Sequence, residues 1–217
     1  MGGLVRLIRS FAPLFAVLVL AAANPPASFA QESYPAAASP EAAAASSFLA
    51  DYLAEIDRVR GQIAALAEAM PQETHTWRPV EGVRSAGEVY LHMAFGNYLL
   101  LRVAGYATPA DLADQLEVAK LQAWDTATSE KAAIAERLSR SFDHLRSTVA
   151  AIPADELDSR VEFFGKTPTK RQLLLILLGH LHEHLGQSIA YARMNGVVPP
   201  WTAAQQQATA AQSEGGD

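Results

Sequence analysis

Six histidines carry the only unusual polar chemistry in this chain of 217 residues, and three of them are spaced to act together. His180 and His184 are four residues apart, which sets both rings on one face of a helix. They interrupt an apolar stripe that reads Leu173, Leu177, His180, His184, Gln187 and Tyr191. His92 lies in a second stripe, formed by Glu88 or Val89, His92, Phe95 or Gly96, Leu99 and Val103. Both stripes are expected to face a helical core, so the three imidazoles should meet across it. Three imidazoles suit a divalent transition metal and leave a coordination position open for water or substrate. Zinc is the first choice, with nickel, iron and manganese as the other ions. Three buried imidazoles without partners would be costly. A metal satisfies them together; a polar core layer of hydrogen bonds is the alternative.

The other residue types narrow the chemistry further. There are no cysteines, which excludes disulfides, thiolate metal sites and cysteine nucleophiles. No nucleophile elbow, phosphate loop or dinucleotide fingerprint is present. Glu88, Trp77, Tyr98, Glu183, Gln187 and Tyr191 are candidates to support the histidines or line a pocket. Trp77 has a second reading, as a plug over the end of the helices, and Glu183 a second one facing solvent. His182 is two residues from both His180 and His184 and should point away. His75 in a loop and His144 on a helix are expected in solvated polar roles.

The elements that must position these groups are helices. Half the chain is hydrophobic, 18% is charged, and runs of β-branched residues of strand length are scarce. A first helix is expected over about 44–69, with Phe48, Tyr52, Ile56, Val59, Ile63 and Leu66 on one face. Ser85 with Glu88 forms a capping-box pattern that starts a second helix, running to about Val103. Pro109 suggests a short extra helix over 109–120. The third long helix is expected over 129–151, followed by an irregular crossover at 157–166. Thr169 with Gln172 repeats the capping box and opens a fourth helix to Met194, closed by Asn195-Gly196. The fold class is therefore all-α: a four-helix bundle with a short extra helix between helices 2 and 3.

The ends of the chain read differently. Residues 1–30 have the layout of a secretory signal peptide: Arg6 and Arg9, an apolar run at 11–23, then Ser28-Phe29-Ala30 as a cleavage site. A run of that length falls short of the ~20 residues needed to span a bilayer. Retention as an anchor is the alternative to cleavage. Export to the periplasm or beyond is expected, with no stable membrane span after cleavage. Residues 31–47 read as an Ala/Pro/Ser-rich spacer, 48–201 as the bundle and 202–217 as a flexible tail. The net charge of -6 leaves no basic footprint for nucleic acid.

Trp77-x-Pro79, Gly82, Ser85-x-x-Glu88-x-x-x-His92 and, far downstream, His180-x-x-x-His184-x-Gly186-Gln187 with Gly196 resemble the DinB-like (damage-inducible) superfamily. The resemblance spans about 48–201 and is most specific at His184-Leu185-Gly186-Gln187. It implies a four-helix bundle whose metal site takes one histidine from the second helix and two from the last, here His92, His180 and His184. Many members carry a histidine directly before the last ligand, where this chain has Glu183. The family includes thiol-dependent transferases and isomerases and some hydrolases, and its relatives often dimerise through bundle faces. A metal-dependent hydrolase or thiol transferase acting on a small molecule is therefore expected. A metal- or ligand-binding bundle without catalysis, or an interaction module without metal, would use the same histidines differently.

Overall fold

Two of the long helices begin on reciprocal caps. Ser85 Oγ accepts from the Glu88 backbone N–H at 3.3 Å, and Glu88 Oε2 accepts from the Ser85 N–H at 2.8 Å. Thr169 and Gln172 repeat the arrangement at 3.1 and 2.9 Å. These caps satisfy donors that a helix start otherwise leaves without partners. The computed structural model describes residues 40–214, so the expected signal peptide, its cleavage site and most of the spacer lie outside the described residues. Six α-helices follow: α1 Pro40–Ala69, α2 Ala86–Val103, α3 Leu121–Asp125, α4 Lys131–Ala150, α5 Lys170–Met194 and α6 Pro200–Glu214. None of them is long and apolar enough to cross a membrane.

α1, α2, α4 and α5 form the four-helix bundle. α4 and α5 each pack against both α1 and α2, which puts α1 and α2 on one diagonal. Side-chain contacts give the directions. Arg146 meets Asp57 and Lys131 meets Glu68, so α1 and α4 are antiparallel. Tyr52 donates its hydroxyl to the Leu174 carbonyl at 3.0 Å and His182 meets Glu55, so α1 and α5 run parallel. The predicted face of α1 is the buried one: Tyr52, Ile56, Val59, Ile63 and Leu66 all lie in the core.

α2 is covered on almost every side, by α4, α5, α3 and the 3-10 turn at Gln72–Thr76. Within α2, Val89–Leu91, Met93–Tyr98 and Leu100–Leu101 are buried, while Glu88, His92, Leu99 and Val103 are only half-buried. The stripe assigned to the core from the sequence is therefore mixed: Val89, Phe95 and Gly96 are buried, while Glu88, His92, Leu99 and Val103 lie along a more open edge. Burial on all other sides leaves little apolar contrast for periodicity to detect.

The extra helix is real but displaced. Residues 110–115 form turns, a 3-10 turn spans Val118–Lys120, and the α-helix is Leu121–Asp125 rather than 109–120. Arg102 Nη1 donates to the Ala113 and Leu116 carbonyls at 2.8 and 3.2 Å, occupying acceptors a helix would use for its own N–H groups. Trp124 fastens α3 to α2 by donating its indole N–H to the Leu91 carbonyl at 2.9 Å.

The C-terminal segment is also corrected. Pro200–Glu214 is helical where a flexible tail was expected from 202, and α1 begins at Pro40, inside the expected spacer. Alanine and glutamine favour a helix without an apolar stripe. α6 accordingly touches α1 while its residues from Ala204 to Ser213 stay exposed. The crossover before α5 forms a tight turn: Phe163 pairs with Lys166 around Phe164 and Gly165, whose φ values are +47° and +72°.

Candidate metal centre

His92 projects from α2, and His180 and His184 from α5, into the groove between these two antiparallel helices. Their ring centroids form a triangle with sides of 4.6 Å (His180–His184), 4.8 Å (His92–His184) and 5.1 Å (His92–His180). One nitrogen from each ring lies within 4.8 Å of the other two. The sequence therefore identified the three residues that meet, while placing them deeper than they are.

A backbone feature makes room for the third ring. A Cβ on Gly96, one turn after His92, would lie 2.5 Å from His180 Cε1 and 3.0 Å from its Nδ1. Such separations are far inside van der Waals contact. Glycine is tolerated within the helix at ~1 kcal/mol relative to alanine.

The hydrogen bonds around His184 determine its tautomer. The Arg84 backbone carbonyl can only accept, so Tyr191 donates its hydroxyl to it at 3.2 Å. Tyr191 in turn accepts from Gln187 Nε2 at 2.9 Å, which directs Gln187 Oε1 toward His184 at 2.8 Å. His184 must donate from Nδ1, and its Nε2 lone pair is left free. The predicted pocket residues Gln187 and Tyr191 are thus links in one oriented relay. Trp77 packs edge-on against Tyr191, centroids 5.3 Å apart, and supports the relay from outside.

Asp125 and Arg84 were missed by sequence reasoning. The last residue of α3, Asp125 has a carboxylate that is 4% exposed, with Oδ2 3.6 Å from His92 Nδ1 and 2.6 Å from Arg84 Nε. The first distance is an electrostatic contact rather than a hydrogen bond. Trp124, which anchors α3, was the available sequence signal.

The field of the site favours neutral rings. Burial pushes His180 down to about 3, and the nearby His184, His92 and Arg84 act in the same direction. Burial also lowers His184, with His92 and Arg84 adding to it, against the opposing pull of the Gln187 hydrogen bond. Neutral imidazole is the metal-binding form. The donor set fits a divalent ion: three convergent imidazoles, each with a nitrogen within 4.8 Å of the others, and His180 Nδ1 buried without a hydrogen-bond partner. An all-nitrogen set of this kind suits zinc, nickel or iron better than calcium or magnesium.

The remaining expectations divide. Glu183 is exposed. Glu88 caps α2 and pairs with Arg78 at 2.8 Å, reaching the site only as part of the adjoining cavity wall. Tyr98 faces the opposite side of α2, stacked on His144 with centroids 5.2 Å apart, and does not line the histidine groove. Six residues at ~100° each carry it roughly 240° around the helix from His92. His182 lies between α1 and α5, 3.1 Å from Glu55 and 3.2 Å from Arg58, as a surface residue. His75 is buried rather than solvated, its Nδ1 3.1 Å from the Pro71 carbonyl.

The family model of the DinB superfamily matches residues 55–188, a span that contains all three histidines. Two solved structures share the fold. A DinB-like protein from Bacillus cereus ATCC 10987 is 16% identical, covering 71% of this chain and 95% of its own, with a TM-score of 0.58. A DinB-like protein from Bacillus subtilis is 18% identical, covering 67% and 92%, with a TM-score of 0.51. No curated protein matches the chain significantly.

Proposed function

We propose that this chain, which belongs to the DinB superfamily, is an exported, divalent-metal-dependent enzyme of hydrolase or thiol-transferase type. His92, His180 and His184 would hold the ion, zinc first among zinc, nickel, iron and manganese. The observation that carries this reading is the convergence of three imidazoles, with burial holding His180 and His184 toward the neutral form, next to a cavity that Gln187 and Asp125 border. Three protein ligands leave room for a further one, the pattern of a reactive site more than a structural one. Export rests on the signal-like residues 1–30.

When bound, such an ion supplies Lewis acidity toward a water, a thiol or a substrate oxygen. The chain's own groups do the positioning. The Tyr191–Gln187 relay holds the His184 proton on Nδ1 and keeps Nε2 available. Asp125 favours a proton on His92 Nδ1 by its negative charge, which directs the other nitrogen away from the carboxylate. Arg84 holds Asp125 in place. Trp77 packs edge-on against Tyr191 and steadies the relay from its far end.

The test is the metal content of protein purified without a nickel column, wild type against His184→Ala, by elemental mass spectrometry. Near-stoichiometric metal that is lost in the variant is the expected result, and it identifies the ion. A well-folded wild type that lacks metal and takes up none from added divalent ions overturns the reading. Metal without turnover of ester, amide or thiol-acceptor substrates would instead leave a non-catalytic metal-binding bundle.

A further inference from the structure

The wall of the cavity beside the histidines is polar and charged. The space measures about 540 Å³ and is bordered by Arg78, Arg84, Glu88, Gln122, Asp125 and Gln187, among others. Two of these charges satisfy each other: Arg78 donates from Nη2 to Glu88 Oε1 at 2.8 Å, while the other Glu88 oxygen caps α2.

Arg84 is different. Its Nε donates to Asp125 Oδ2 at 2.6 Å, but neither Nη atom has an acceptor among the described residues. A guanidinium presents five N–H donors in a rigid fork, and the edge between its two Nη atoms matches two oxygens of a carboxylate or phosphate. The buried Asp125 carboxylate holds one end of the fork still, while the Arg84 side chain is 35% exposed and borders the cavity. The same oxygen of Asp125 lies 3.6 Å from His92 Nδ1. Arg84 Nε and His92 therefore stand no farther apart than the sum of those two short distances. A group gripped by Arg84 is separated from His92 by no more than the Asp125 carboxylate.

We propose that this cavity admits a small molecule bearing an oxyanion, a carboxylate or a phosphate, and that the free Nη edge of Arg84 recognises it. The proposal rests on the metal-site reading, because it assigns the substrate class for the same groove. Asp125 already balances the charge of Arg84, so a divalent ion at the histidines should tighten the oxyanion, and the oxyanion should tighten the ion to the same degree.

The experiment uses the full chain, both chelator-stripped and zinc-treated, titrated separately with succinate and with inorganic phosphate. Binding is read from the side-chain amide signals of Gln122 and Gln187 and from the Nε–H signal of Arg84. Wild type is compared with Arg84→Lys, which keeps the charge that Asp125 needs but loses the fork. Arg146→Lys, the same exchange on the distant α1–α4 face, controls for the change of side chain alone. A saturable shift with one or both anions is expected, the responding anion naming the group. Arg84→Lys should weaken it about tenfold or more, and Arg146→Lys should not. Absence of a saturable shift with both anions in the zinc-treated wild type overturns the proposal, as does equal affinity in Arg84→Lys. The Arg84 Nε–H signal of wild type must follow the same binding curve, a readout independent of how the variant folds. Metal content measured on the same samples reports separately on the metal-site reading.

Discussion

Gly96 and His180 are fitted to each other: the ring of one occupies the space where the other would carry a side chain, 2.5 Å from an ideal Cβ. Gly96→Ala should therefore displace His180 while leaving α2 helical, since alanine favours a helix by ~0.5–1 kcal/mol over glycine. We expect metal affinity to fall at least tenfold with little change in far-ultraviolet circular dichroism. Chelator competition measures the first quantity. Full retention of affinity would show that the ring can move away without losing the site.

Asp125 should matter more to metal affinity than its distance from the predicted ligands along the chain suggests. Supporting carboxylates beside a ligating histidine are worth ~10–100-fold in metal affinity. Asp125→Asn removes the charge beside His92 and preserves the size of the side chain. A loss in that range is expected from competition with a chromophoric chelator. An unchanged affinity would reduce Asp125 to a structural anchor for Arg84.

Tyr191→Phe cuts the relay at its origin. Gln187 loses the acceptor that orients its amide, and the tautomer of His184 is no longer fixed by the Arg84 carbonyl. The expected result is a several-fold weaker metal site with a stability loss of about 1 kcal/mol, the usual contribution of one hydrogen bond. Gln187→Ala should weaken the site in the same way. The two losses should not add, because both break one chain of contacts. A full set of single and double variants tests that non-additivity.

Stability of the metal-free protein should fall in acid through the histidine groove. His180 titrates near 6.5 when unfolded but is pushed to about 3 in the fold. Between those values the unfolded chain takes up a proton that the folded chain refuses, so stability falls as pH drops through this window and is fully present above it. Urea midpoints of stripped protein should decrease from about pH 7.5 to about pH 4.5, and His180→Gln should flatten that trend. An identical pH profile in the variant would exclude His180 as its source.

Local signals were legible in the sequence, and long-range ones were not. The Ser85/Glu88 and Thr169/Gln172 patterns act within four residues, and both caps form as read. The i,i+4 spacing of His180 and His184, with His92 on a second helix, likewise identified the residues that converge. The depth of the site was misread because α2 is apolar nearly all round, leaving periodicity without contrast. Arg84 and Asp125 escaped because one sits just before a cap and the other ends a five-residue helix. Neither lies on a repeating face, and the packing of α3 against α2 is what brings Asp125 to Arg84 and His92. The helix at Pro200–Glu214 carried a propensity signal in its alanines and glutamines, but no apolar stripe to announce it.

The two helices that hold the histidines are far apart along the chain, and this would give a bound ion a mechanical role. An ion that bridges His92 and His180, about 90 residues apart, would bind only the folded chain and so stabilise it by an amount that grows with the free ion concentration. A chain without a single cysteine has no disulfide to serve as such a staple. Occupancy of the groove would then set how long the protein survives proteases, coupling its lifetime to the local supply of metal.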